Sequence, residues 1–259
     1  MQNIFFDTRI LDKKSREKFS LTEEIMMENA AQGLESCVMP HVFHESARYI
    51  NRPCVLILAG RGNNGADGYA LARRLSCHDF CVAVCCIGEP SSEIAKVQKK
   101  RAELLGVSFI SPYDLDSFAE EKSFDIRVVV DCIYGSGFHL PLDAESEAVI
   151  QSANKIEAFK ISCDIPSGLD SAGNGKTVFC ADETVAMGAL KLSLFSDKAK
   201  DFCGKIKVCN LGISRNNFEF LDSPNAFLLE KEEMKLPFRK MQNVNKGTFG
   251  HVAVKKKKK

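Results

Sequence analysis

From residue 54 onward, short apolar runs alternate with stretches whose apolar positions recur at helical spacing. The pattern predicts strands over 54–59, 80–87, 107–110, 127–132, 159–164, 183–187, 205–211 and 226–229, with helices over 66–75, 93–105 and 145–157. Ahead of them, residues from about 20 to 50 read as a helix. Thr22 is its N-cap, Glu23 and Glu24 lie in its first turn, and Ile25, Ala30, Leu34 and Val38 are its apolar positions. Pro40 is expected to end that helix or break it. Strand, helix, strand, repeated, implies a parallel sheet covered by helices. The strand runs are rich in Val, Ile and Cys on both alternating positions, as in strands buried on both faces. The expected fold class is therefore α/β, with one such domain up to about residue 230.

Composition narrows the class. Of 259 residues 45% are apolar, and 35 Lys+Arg face 34 Asp+Glu, a formal charge of +1, so a disordered polymer is excluded. Residues 255–259 are all lysine; without these five the charge of +1 becomes −4, and the body is mildly acidic. No basic field is present to grip a phosphate backbone, and no nucleic-acid partner is expected. The 11 cysteines would suggest disulfides in an exported chain, but the N-terminal apolar stretch is broken by Asp7. The longest uncharged run, 132–142, is too short and too Gly-rich to span a membrane. A reducing, cytoplasmic location without membrane association is the expectation. Cys54, Cys81, Cys85, Cys86, Cys132, Cys163 and Cys209 sit in apolar runs and read as small hydrophobes. Zinc is not expected, because no Cys-x-x-Cys pair occurs and Cys86 faces away from Cys81 and Cys85 in a strand.

In open parallel sheets ligands gather beyond the carboxyl ends of the strands. Three polar, Gly-containing loops fall there: 60–68, 131–137 and 164–168. Gly60, Gly62 and Gly65 have the Gly-x-Gly-x-x-Gly spacing between strand and helix, which suits either a phosphate or no more than a tight turn. Asn63, Asn64 and Asp67 add oxygens and amides beyond what a turn requires. Asp131 and Asp164 each close an apolar strand, where an unpartnered carboxylate is costly. They either cap loops or, with Ser167 and Asn64, form a cluster of hard oxygen ligands suited to an alkali or alkaline-earth ion.

Other motifs fail on spacing. Gly175-Lys176-Thr177 resembles the end of a P-loop, but Asp170 stands where the first glycine belongs and 178–179 read as strand-like. Ser167 is outside a nucleophile elbow, because Ile165 replaces its first glycine. His41 and His44 lack a third ligand and read as surface or capping residues. His139 lies in the second glycine loop without an evident partner.

Taken together, Leu58-Ala59-Gly60-Arg61-Gly62-Asn63-Asn64-Gly65-Ala66-Asp67-Gly68, then Asp131-Cys132-Ile133-Tyr134-Gly135-Ser136-Gly137, then Asp164-Ile165-Pro166-Ser167-Gly168-Leu169-Asp170 resemble the NAD(P)H-hydrate epimerases, in family order. Met26-Met27-Glu28-Asn29-Ala30 and Ala181-Asp182-Glu183-Thr184-Val185 fit as well. The resemblance implies a three-layer αβα Rossmann-like fold with a mostly parallel sheet, a homodimer, and interconversion of the R and S epimers of hydrated NADH or NADPH (NADHX, NADPHX). It also implies a potassium ion, K+, held by Asn64, Asp131 and Ser167. Asn63, Asn64, Gly65, Ala66 and Asp67 would contact the substrate, as would Gly135, Ser136, Gly137, Phe138, His139, Leu140 and Pro141, while Asp164 would touch it directly as the catalytic residue. The chain departs from the family at Ala66, usually glycine, and at 138–140, where a basic residue is usual.

Residues 245–254 resemble the opening of the ADP-dependent NAD(P)H-hydrate dehydratase domain and run into the five lysines. The expected division is thus 1–230 epimerase, 231–244 connector and 245–259 the first dehydratase strand plus the lysine end. That end reads either as a solvated tail or as a truncated or frame-shifted terminus; dehydratase activity is not expected of the chain. Two rival readings stay open: a Rossmann oxidoreductase using Glu89 as its ribose acid, and a nucleotide-binding module without turnover.

Overall fold

Alternate residues of each central strand supply two separate cores, and that alternation produces three layers. A computed structural model describes residues 1–42 and 52–233 of the chain. In order these form β1 (Gln2–Phe5), α1 (Arg9–Phe19), α2 (Glu23–Val42), β2 (Arg52–Ala59), α3 (Asn63–Leu75), β3 (Cys81–Cys86), α4 (Glu93–Leu104), β4 (Ser108–Ile110), α5 (Leu115–Ala119) and β5 (Phe124–Cys132). Then follow α6 (Ala144–Lys155), β6 (Phe159–Cys163), β7 (Glu183–Met187), β8 (Leu190–Lys191), α7 (Lys200–Cys203), β9 (Lys205–Cys209), α8 (Arg215–Glu219) and β10 (Ala226–Leu228). Val55, Ile57 and Ala59 of β2 pack with Leu34, Tyr69 and Leu71 of α2 and α3. Cys54, Leu56 and Leu58 of the same strand pack with Val149, Ile150 and Ala153 of α6 on the opposite face.

The main sheet has the strand order β4-β3-β2-β5-β6-β7-β9, and every pairing in it is parallel. The expected α/β class and three-layer arrangement are present. Three expectations need correction. Residues 226–228 pair antiparallel with β1 in a separate sheet of order β10-β1-β8, outside the parallel sheet. Pro40 lies inside α2, which runs on to Val42; this close to the last described turn, the missing N–H removes little of the helix's ladder. Val178 and Phe179 form no strand, although Phe179 is buried and its N–H donates to Ser167 O at 2.9 Å. His44 and residues 234–259, with most of the connector, the dehydratase-like stretch and the lysines, lie outside the described residues.

The small sheet decides where the chemistry is placed. Gly188, at φ +73°, turns the chain from β7 toward β8, and a Cβ there would come within 2.5 Å of the Phe218 ring. β8 pairs parallel with β1, whose end leads straight into α1. Lys191 and the start of α1 are thereby brought to the carboxyl end of the main sheet.

Candidate functional site

The loop after β2 is built on close backbone contacts. A Cβ on Gly60 would lie 2.1 Å from Ile133 O, and one on Gly65 would lie 1.9 Å from Gly60 O, so both positions demand glycine. The turn places Asn63, Asn64 and Asp67 on the first turns of α3, at the mouth of a cavity of about 760 Å³ beyond the strand ends. Of the residues expected from sequence, Asn63, Asn64, Asp67, Gly135, Ser136, Gly137, Phe138, His139, Pro141 and Asp164 line it. Gly65 and Ala66 are buried behind the wall, while Leu140 is exposed and outside it. Asp131 and Ser167 lie buried beneath, also outside the lining.

Asp164 follows β6 in a left-handed conformation, φ 71°, which few residue types other than Asn and Asp adopt. That turn aims its carboxylate between three donors. Ser136 N–H donates to Oδ2 at 3.0 Å, Met187 N–H donates to Oδ1 at 3.1 Å, and the Lys191 ammonium forms an ion pair with Oδ1. Lys191 is 1% exposed and its Nζ also donates to Met187 O at 2.6 Å. Asp164 lines the cavity, and Lys191 is buried behind it.

Two further carboxyl groups face it. Burial pushes Asp12 of α1 up to about 6, with Lys191 pulling it down and Asp164 pushing it up. Burial raises Asp67 well above the ordinary carboxylate range, and the charges of Asp164 and Asp12 raise it further. The floor thus holds more carboxyl groups than one ammonium can balance, an arrangement suited to storing a proton beside a reacting centre.

The excess has a consequence for stability. Asp12 has an ordinary value of 3.8 and a folded value of about 6, so the folded chain holds its proton more tightly than the unfolded one. Stability present below pH 3.8 is lost as pH rises to about 6 and stays lost above it. Two pH units correspond to roughly 3 kcal/mol. Asp12→Asn should be more stable than the parent by about 1–3 kcal/mol at pH 7.5, with the gap closing toward pH 4 in urea denaturation. A variant no more stable than the parent at pH 7.5 contradicts this account of Asp12.

Beneath the floor, Asp131 ties two loops together. Its Oδ1 accepts from Ser167 Oγ at 2.6 Å and Ile133 N–H at 3.1 Å. Its Oδ2 accepts from Ser167 N–H at 2.8 Å and Ser162 Oγ at 3.3 Å. Tyr134 N–H donates in turn to Ser167 Oγ at 2.9 Å. Even so, burial outweighs these bonds and pushes Asp131 up to about 6. Among the described residues, Asn64 Nδ2 is buried without a hydrogen-bond partner. Asn64 Oδ1 and Asp164 Oδ2 lie 3.3 and 3.1 Å from where a Gly135 Cβ would stand, so that glycine lets three loops meet.

Residues singled out under rival readings fall elsewhere. Glu89 is exposed, pairs with Lys99 at 3.2 Å and does not line the cavity, so it is not placed to hold a ribose. His41 stacks on Phe159 at 3.5 Å, away from the cavity. Sequence reasoning missed Lys191, Asp12 and Arg9. The stretch 188–193 reads as an ordinary alternating run, and α1 is so polar that only Leu11 and Ser15 are buried along it.

Comparison with known proteins gives a consistent result. Residues 23–193 match the family model described as YjeF-related protein N-terminus. The bifunctional NAD(P)H-hydrate repair enzyme Nnr of Helicobacter pylori is 39% identical, over 98% of this chain and 52% of its own length. The NAD(P)H-hydrate epimerase of Rhodopirellula baltica is 32% identical, over 79% of this chain and 82% of its own. The chain spans about half the length of the bifunctional relatives it matches. Among solved structures, the yeast protein ynu0 superposes with a TM-score of 0.70 at 17% identity, covering 91% of this chain and 100% of that one, which shows a shared fold. No described helix is long and apolar enough to cross a membrane.

Proposed function

The chain belongs to the YjeF-related N-terminal family, and from that premise we propose that it is an isomerase interconverting the R and S epimers of hydrated NADH and NADPH. The observation that carries the reading is Asp164, lining a cavity large enough for a nucleotide and backed by the buried Lys191 ammonium. In the hydrated coenzyme the inverting carbon bears a hydroxyl beside the ring nitrogen. Inversion needs that hydroxyl to leave as water, an iminium cation to survive briefly, and water to return on the other face. Asp164 passes to the departing hydroxyl a proton drawn from the Lys191 ammonium and returns it to Lys191 when water adds, and between the two events its carboxylate stabilises the cation. The glycine turn and the N-terminus of α3 receive a phosphate.

A potassium ion belongs to the same proposal. Its fit rests on Asn64, whose buried orphan amide, turned over, presents Oδ1 there, and on Asp131, which is short of compensating charge despite four donors. Asn64, Asp131 and Ser167 would hold the ion, which would supply positive charge that keeps the loops at 131–136 and 164–167 in place. Exchanging tetramethylammonium chloride for potassium chloride at equal ionic strength should raise Tm by about 3 °C, and Asn64→Ala should abolish the rise. Equal Tm in both salts contradicts the site.

A homodimer in the cytoplasm completes the proposal, as does the role of this chain as the N-terminal half of an epimerase and dehydratase. That division is supported by the coverage of the Helicobacter pylori relative and by residues 245–254. Separated epimers test the main reading. Relaxation toward their equilibrium mixture is expected on adding the chain, whereas nicotinamide oxidation or reduction without relaxation supports an oxidoreductase.

A further inference from the structure

The cavity must accept a polyanion, yet Asp12, Asp67, Asp143 and Asp164 all line it. A phosphate not held by the glycine turn therefore has to settle at a permanent cation of the lining, Arg9 or Arg61. The loop at 135–141 brings no permanent cation of its own, its one basic residue being the exposed His139. Arg9, at the first turn of α1, reaches that loop from outside: its Nη1 would lie 3.6 Å from a Cβ on Gly137. The rest of the guanidinium is already committed, with Nε 3.0 Å from both Asp7 oxygens and Nη2 2.6 Å from Oδ2. Asp7 thus fixes the plane of the group, and among the described residues Nη1 has no hydrogen-bond partner.

The backbone beside it is similarly poised. Ser136 N–H is taken by Asp164 and Phe138 N–H by Gly135 O, while the intervening Gly137 N–H is unpaired among the described residues. We propose that Arg9 is a specificity-determining residue of this cavity, holding a phosphate group of the dinucleotide between its Nη1 and the backbone at Gly137. Arg9 brings a permanent cation to loop 135–141 from a different element of the fold. Because Asp7 has already ordered the guanidinium, a phosphate binds without immobilising a free side chain.

The substrate's identity here rests on the epimerase reading, so the test separates the two. Binding of NAD+ and NADP+ by calorimetry is compared between the parent, Arg9→Gln and Gly137→Ala, alongside KM and kcat for NADHX and NADPHX. Each variant should bind about tenfold more weakly and raise KM to match, with kcat within twofold. Loss with both nucleotides marks the pyrophosphate as the group held; loss with NADP+ alone marks the 2′-phosphate. Either supports the proposal. Affinities within twofold of the parent for both nucleotides, a parent that binds neither, or a fall in kcat at unchanged KM overturns it. Nucleotide binding that weakens in the variants while the parent fails to relax the epimers sinks the epimerase reading and keeps the phosphate slot.

Discussion

Asp164→Asn should slow epimer relaxation by roughly a hundredfold to ten-thousandfold, the range over which a positioned acid or base contributes. The substitution is chosen because Asn tolerates φ 71° nearly as well as Asp, so the turn after β6 survives. What it removes is the charge that faces Lys191 and would face the iminium cation. Its single remaining side-chain oxygen also cannot serve Ser136 N–H, Met187 N–H and Lys191 as the two carboxylate oxygens do. Rates measured from one purified epimer, beside a circular dichroism spectrum matching the parent, isolate the chemical loss. A folded variant within about threefold of the parent rate contradicts the assignment of Asp164 as the proton-handling residue.

Lys191→Met is the second large effect, and it acts on stability as well as on rate. Breaking a buried ion pair from one side leaves the other charge uncompensated, at a cost of about 3–5 kcal/mol. Lys191 is 1% exposed and Asp164 is 7% exposed, so water can do little to replace the lost ammonium. For a chain of this size the midpoint should fall by about 10 °C. Combining it with Asp164→Asn removes both charges, and the double variant should recover part of that loss while staying inactive. Unchanged stability in Lys191→Met, or losses that simply add in the double variant, would show that the two side chains do not depend on each other.

The central sheet was legible because its strands are buried on both faces and so leave unbroken Val/Ile/Cys runs, as at 54–59 and 127–132. The glycine turn and the loops around Asp131 and Asp164 were legible too, since a polar residue that closes an apolar strand has few places to go. The small sheet was not: β8 has two residues and β1 four, too short to establish a period. With it went α1, whose lysines and arginines outnumber its apolar residues, and hence Asp12 and Arg9. Lys191 was hidden for a different reason. In sequence it looks like the solvent-facing residue of a short run, and only the reversal at Gly188 turns its ammonium inward onto Met187 O and Asp164. Ser167 was expected as an ion ligand; the bond its hydroxyl donates to Asp131 was not, because it depends on how two distant loops meet.

The most direct measurement takes one separated epimer of NADPHX and adds this chain alone at one part per thousand, without the remainder of any longer relative. The opposite epimer is expected to appear over many turnovers until the equilibrium ratio is reached, with no change in nicotinamide oxidation state. An epimer that relaxes no faster than in buffer, in potassium salt and with the chain folded, contradicts the epimerase reading.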